Sequence, residues 1–360
     1  MNKQHNYAAI MAGGVGSRFW PGSRESRPKQ FLDLLGTGKS LLRQTFERFQ
    51  KVCPDENIYI LTNSRYREMI LEQLPEVDGD QVLCEPSRNN TAPCIAWLAF
   101  KLYKRDPHAN FVVAPSDAVI LKEEAFTAAI LKALAFTAER DALMTLGIQP
   151  TRPDTGYGYI NFIQEGIKGV HKVIRFTEKP DATTAEQFVK SGEYLWNAGI
   201  FIWKAENILK AFSTHNPEIH DIFSSINREI NTVDEQAKID EYYPTCPNIS
   251  IDYAIMEKAS NVYTLPADIG WSDLGTWASL HVESPKDDHG NVVNTQTALL
   301  EETSNTLIRV PEEKLVVVKG LEDFIIVDEG DVLLIYPKSK EQEIKAIRNR
   351  ITEEYGERFA

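Results

Sequence analysis

Between Tyr7 and about Gly147, short apolar runs alternate with helix-length amphipathic segments, and this alternation narrows the available folds more than any other feature of the chain. Residues 58–62, 81–84, 111–114 and 143–147 read as buried strands, and 41–52, 66–74, 92–103 and 124–140 as helices. Strand and helix in strict alternation imply an α/β fold, a Rossmann-like, mostly parallel sheet with helices on both faces. Ligands of such sheets bind outside the carboxyl ends of the strands, so chemistry is expected in the residues that follow each apolar run.

The first such stretch, residues 13–31, reads GGVGSRFWPGSRESRPKQF and follows the apolar run 7–11. Gly13, Gly14 and Gly16 let backbone N–H groups approach phosphate oxygens without a Cβ in the way, and Arg18 and Lys29 supply neutralising charge. A dinucleotide fingerprint is excluded, because the sixth position from Gly14 is Phe19 and Pro21 would break the helix that must follow. A Walker loop at Gly38-Lys39-Ser40 fails as well, since its first glycine falls on Asp33. Residues 36–39 read instead as a turn, with Ser40 capping the helix implied by Leu41, Leu42, Phe46 and Phe49.

The glycine-rich loop after the first strand, with Arg18 inside it and Pro28-Lys29-Gln30-Phe31 beyond, resembles the signature of sugar nucleotidyltransferases. Phe19-Trp20-Pro21 followed by Ser23-Arg24 is similar to the mannose-1-phosphate guanylyltransferase branch in particular. The ordinary alternative is a Gly-rich βα turn with surface basic residues. The resemblance implies an enzyme that transfers GMP from GTP to mannose 1-phosphate, giving GDP-mannose and pyrophosphate. Two rivals stay open: a guanylyltransferase for another sugar 1-phosphate such as a heptose, and a noncatalytic regulatory subunit that binds a sugar nucleotide.

Transfer to a sugar phosphate brings two anions together, which calls for a metal, and Mg²⁺ prefers a few carboxylates with phosphates and water. Asp117 follows the apolar run 111–114, and Asp273 lies in the Gly- and Trp-rich stretch 268–277; both match the family's metal-binding aspartates. Each could equally be a helix or turn cap, and Asp268 competes for the second metal position. By the same resemblance, Gly13, Gly14, Gly16 and Ser17 contact the triphosphate, and Arg18 and Lys29 hold the leaving pyrophosphate. The stretch 85–93 is similar to the base-recognition segment, which assigns Glu85, Asn90, Thr91 and Ala92 to guanine and ribose, although Asn90 and Thr91 are also good caps. Gly158, Glu178, Lys179 and Asn197 fall to the sugar phosphate, against a plain reading of Gly158 as a bulge glycine and of Glu178 and Lys179 as a solvated ion pair. For residues 249–258 a capped amphipathic helix is favoured over catalysis.

With 360 residues, 42% hydrophobic, the chain can bury a large core, and its net charge of −13 argues against nucleic-acid binding. It shows no apolar stretch of membrane-spanning length and no signal-type N-terminus, so a cytoplasmic protein is expected. The four cysteines and seven histidines show no metal spacing. Residues 157–162, 170–176 and 199–203 read as further strands and about 205–237 as helices, a lobe for the sugar. Runs 306–310, 314–318, 323–327 and 332–336 recur about every nine residues, as in a β-meander or one or two coils of a β-helix, before a polar helix at 341–350. The expected division is a catalytic domain, 1–286, and a small β-rich domain with a terminal helix, 287–360. The resemblance implies a left-handed β-helix there that supports a homodimer, and with the chain ending at Ala360 no fused isomerase domain is expected.

Overall fold

Tyr7, Ala8, Ala9 and Ile10 are all buried, because the strand they form lies inside a sheet with a neighbour on each side. The computed structural model describes residues 3–360. In one compact unit, the chain up to Gly13, Thr45–Ser116 and Ile120–Trp271, nine strands form this sheet. They are β1 (Asn6–Met11), β2 (Ile58–Asn63), β3 (Val82–Glu85), β4 (Asn110–Pro115), β5 (Leu143–Ile148), β6 (Tyr159–Ile167), β7 (Val170–Thr177), β8 (Tyr194–Lys204) and β9 (Val262–Pro266). Their order is β3-β2-β1-β4-β8-β5-β9-β7-β6.

The first four strands of that order pair in parallel, as strand–helix alternation requires. Beyond them β5 and β9 also pair in parallel, but the other pairs depart from the mostly parallel expectation: β8 runs antiparallel to both β4 and β5, and β7 antiparallel to β6 and β9. One cause is local. Only Lys168 and Gly169 separate β6 from β7, both with positive φ, 54° and 73°, which is the two-residue hairpin that forces an antiparallel pair. The helix Thr91–Arg105 is buried without interruption from Ala92 to Leu102, and its apolar side chains join the core formed by Phe111, Trp203, Phe212 and Phe223. Lys101 enters that interior paired with Glu235 at 2.6 Å, and Trp97 Nε1 donates to the other oxygen of Glu235 at 2.7 Å, so the buried charges are satisfied.

The second compact unit is Gly14–Gln44, Asp117–Val119 and Ser272–Ala360. Phe19 and Trp20 pack with Leu274, Trp277, Leu307, Ile325, Val327 and Ile344, so the loop after β1 shares a core with the C-terminal residues. Polar contacts fasten it further. Trp277 Nε1 donates to the Trp20 carbonyl (3.1 Å), Trp20 Nε1 to that of Phe359 (2.6 Å), and Arg24 holds Asp331 through its two terminal guanidinium nitrogens (2.8 and 2.6 Å). Ser40 Oγ accepts from the Arg43 N–H at 3.1 Å, at the start of the helix Leu41–Gln50. Near the C-terminus, strand Ala298–Glu301 pairs with Val316–Lys319, and Leu307–Arg309 with Phe324–Asp328, all in parallel. Ala298 opposes Val316 and Leu307 opposes Ile325, an offset of 18 residues both times. A meander would pair these strands antiparallel, and a third parallel pair, Val292 with Leu307, is offset by 15 residues. The strand Leu333–Pro337 alone closes antiparallel on Phe324–Asp328.

Candidate active site

The loop that begins at Gly13 takes its shape from Gly16, whose φ of 72° puts it in the left-handed region at the start of the short 3₁₀ turn Ser17–Phe19. A Cβ at Gly16 would stand 2.5 Å from the Lys29 Cβ, so the glycine is what allows Lys29 to close on the loop. Gly13 and Gly14 have nothing within 4 Å of a Cβ position, which leaves their backbone open to a ligand. Ser17 is partly buried on the same turn, and Arg18 is exposed to solvent.

Lys29 is 3% exposed, and its ammonium reaches Asp117 Oδ2 at 3.1 Å and the Asp273 main-chain carbonyl at 2.9 Å. The Phe19 ring lies 5.4 Å from Nζ. One buried cation thus joins three segments far apart in sequence, and both predicted aspartates meet at it. A Cβ at Gly275 would lie 2.6 Å from Asp273 Oδ2, so a glycine there accommodates the turn of that carboxylate. Asp268, the rival to Asp273, belongs to the other unit and pairs with Lys122 at 2.5 Å. Among the described residues no three His, Cys, Asp or Glu side chains gather as a metal cage.

In the first unit Gly158, Glu178, Lys179 and Asn197 come together. A Cβ on Gly158 would meet Glu178 Oε2 at 2.5 Å and Asn197 Cβ at 3.3 Å, and the Asn197 N–H donates to the Gly158 carbonyl at 2.8 Å. Glu178 also pairs with the Lys179 ammonium, and its N–H donates to Glu257 Oε1 at 3.0 Å. The Asn197 amide is held from both ends. Its Oδ1 accepts from Thr145 Oγ1 (2.9 Å) and the Gly199 N–H (3.1 Å), and its Nδ2 donates to Asp252 Oδ1 (3.0 Å). Burial pushes Asp252 up to about 7, with the charge of Glu178 adding to the shift.

The base-recognition candidates are more fully committed to protein contacts. Glu85 ends β3 and accepts from Tyr243 Oη at 2.7 Å; burial lifts it to about 7 against the lowering effect of hydrogen bonds from Tyr243 and Cys94. Asn90 holds φ at 67° and caps the helix Thr91–Arg105 by accepting from the Thr91 N–H at 3.0 Å. Thr91 Oγ1 accepts from the Ile251 N–H (2.9 Å) and the Ala92 N–H donates to the Ile249 carbonyl (3.1 Å), so these two groups tie down residues 249–251. All four cysteines are buried thiols, and no helix among the described residues is long and apolar enough to cross a membrane.

Residues 7–289 match the Nucleotidyl transferase family. The chain belongs to that family. Within it, the chain is 37% identical to the alginate biosynthesis protein AlgA of Pseudomonas fluorescens over 350 residues, covering 96% of this chain and 71% of the relative. It is also 37% identical to the mannose-1-phosphate guanylyltransferase RfbM of Salmonella typhimurium over 343 residues, 94% of this chain and 71% of the relative. A crystal structure from Thermus thermophilus, named a mannose-1-phosphate geranyltransferase, superimposes with a TM-score of 0.86 at 30% identity, covering 97% of this chain and 99% of that one. Two residues that the sequence does not mark, Asp252 and Tyr243, hold the candidate side chains Asn197 and Glu85. Residues 249–258 were read as a capped helix, whereas Asp252 opens the π-helical turn Asp252–Met256, the kind of irregularity that often marks a functional site. Tyr243 carries no local signal, since its contact with Glu85 spans 158 positions.

Proposed function

We propose that this protein transfers GMP from GTP to mannose 1-phosphate, releasing pyrophosphate and forming GDP-mannose. The observation that carries the reading is the buried Lys29, joining the glycine-rich loop to Asp117 and Asp273, in a chain that matches guanylyltransferase relatives over nearly its whole length. A phosphate oxygen of the sugar phosphate attacks the α-phosphorus in line, and the bond from that phosphorus to the bridging oxygen breaks, so the electron pair leaves with pyrophosphate. Lys29 and Arg18 offset the charge that builds on the leaving group, while Gly13, Gly14, Gly16 and Ser17 line the phosphates. Glu178 and Asn197 orient the sugar, Lys179 its phosphate, and Glu85 with the segment 90–92 the base. No covalent enzyme intermediate is required, since positioning and electrostatics suffice.

The donor set fits Mg²⁺: two partly exposed carboxylates, with phosphate and water to complete the shell, is how this ion is held, and no all-protein cage is needed. Bound by Asp117 and Asp273, Mg²⁺ would supply positive charge between the approaching anions. Asp117→Asn, which keeps an oxygen for the buried Lys29 ammonium, is therefore expected to abolish turnover with the fold retained; near-normal turnover would remove Asp117 from that role. We further propose a cytoplasmic homodimer, with the stacked C-terminal strands of residues 287–360 forming a left-handed β-helix at the dimer contact. Sedimentation of the purified protein tests the dimer, and a monomer at working concentration contradicts it.

A further inference from the structure

The Asn197 amide is fully oriented by the protein before any ligand arrives. Thr145 and Gly199 fill both acceptor positions of Oδ1, and Asp252 takes one of the two Nδ2 hydrogens, so a single N–H is left to serve a ligand. Asn197 and the Glu178 carboxylate flank the space beside Gly158 that a side chain there would fill. Asp252 reaches this place from the first position of a π-helical turn, where the extra residue per turn re-aims a side chain. Glu178 and Lys179 are the charged groups acting on Asp252 and Ser250 hydrogen-bonds to it, while Tyr253 acts on Lys179 and Glu257 is held against the Glu178 backbone.

Resting on the acceptor assignment above, we infer that Asp252 is a positioning residue of the sugar pocket: by fixing the Asn197 amide opposite Glu178, it decides which hydroxyl pattern of a hexose 1-phosphate is accepted. A hydroxyl is both donor and acceptor, and an oriented N–H facing a carboxylate offers one partner of each kind. With Asp252 removed, the amide end that meets the sugar loses its fixed direction while the phosphate and base contacts stay in place.

The test measures KM for mannose 1-phosphate and for GTP, and the ratio of kcat/KM for mannose 1-phosphate over glucose 1-phosphate, in the wild type, Asp252→Ala, Asp252→Glu and Asp252→Asn. Loss of one oriented hydrogen bond predicts about a tenfold rise in the sugar KM of Asp252→Ala, a similar fall in the mannose-to-glucose ratio, and an unchanged GTP KM. Asp252→Asn, which still offers an acceptor to Asn197 Nδ2, is expected to stay within about threefold of the wild type for the sugar KM, by the same arithmetic. If Asp252→Ala does not fold, Asp252→Glu decides on the same constants, since its longer side chain displaces the carboxyl. An unchanged sugar KM and ratio, or an equal rise in the GTP KM, overturns the inference. Calorimetric titration with mannose 1-phosphate separates the two claims. A wild type that binds the sugar phosphate but releases no pyrophosphate sinks the functional reading, and the change in Kd on substitution then decides the role of Asp252. A wild type that binds no mannose 1-phosphate overturns both.

Discussion

Gly16 combines a φ of 72° with a Lys29 Cβ that would sit 2.5 Å from any added Cβ, so alanine there strains the backbone and collides with Lys29, proposed above to hold the leaving pyrophosphate. Gly16→Ala is expected to lower stability by about 1–3 kcal/mol in urea melts and to reduce turnover further by displacing Lys29; wild-type values for both would show that the loop tolerates another shape. Glu85 makes a prediction in pH. Its carboxyl stands at about 7 against a reference of 4.5, so between these values the folded state holds more protons than the unfolded one. The stability linked to it is fully present below about 4.5 and is lost as pH rises through about 7. Glu85→Gln should flatten the fall in melting temperature across that window, leaving the part due to Asp252, which also stands at about 7. On the role proposed for Glu85 it should also weaken discrimination of GTP from ATP, because a carboxylate can accept the guanine N1 and N2 hydrogens. An unaltered pH profile together with unaltered base choice would contradict the role given to Glu85.

At the scale of elements, the helix Thr91–Arg105 depends on an unusual first residue. Asn90 caps it from φ 67° and ψ −163°, a conformation open mainly to glycine, so its side chain offsets a backbone cost. Asn90→Ala loses the cap and keeps the strain, and should cost about 0.5–2 kcal/mol or more; Asn90→Gly should cost less, because it relieves the strain. Equal losses in chemical denaturation would contradict this account. The strands β1 to β5 were legible in the sequence because each is a buried apolar run bounded by turn residues. Two features further on were not. Gly199, at φ 69°, looks like a strand start, yet β8 begins at Tyr194 and passes through it. β9 mixes Tyr263 and Thr264 with its apolar residues, and it is recognised as a strand only once β5 pairs beside it. The site divides in the same way. Residues 13–31 carry their chemistry in local order, whereas the Lys29–Asp117, Glu85–Tyr243 and Asn197–Asp252 contacts span 88, 158 and 55 positions and are set by topology alone.

For the whole molecule, the second unit packs the C-terminal residues against the glycine-rich loop proposed to hold the phosphates. Phe19 and Trp20 pack with Leu307, Ile325 and Ile344, and Arg24 is bound to Asp331, so a chain ending at residue 286 loses the packing that holds the glycine-rich loop. That truncation is expected to release no pyrophosphate and to show raised proteolysis between residues 14 and 44; full activity would mean that the loop keeps its shape alone. Purified protein with Mg²⁺ and mannose 1-phosphate, offered each of GTP, ATP, CTP and UTP, is expected to release pyrophosphate with GTP and to give GDP-mannose as the second product. Pyrophosphate release with another nucleotide in preference to GTP, or none with any, would contradict the account.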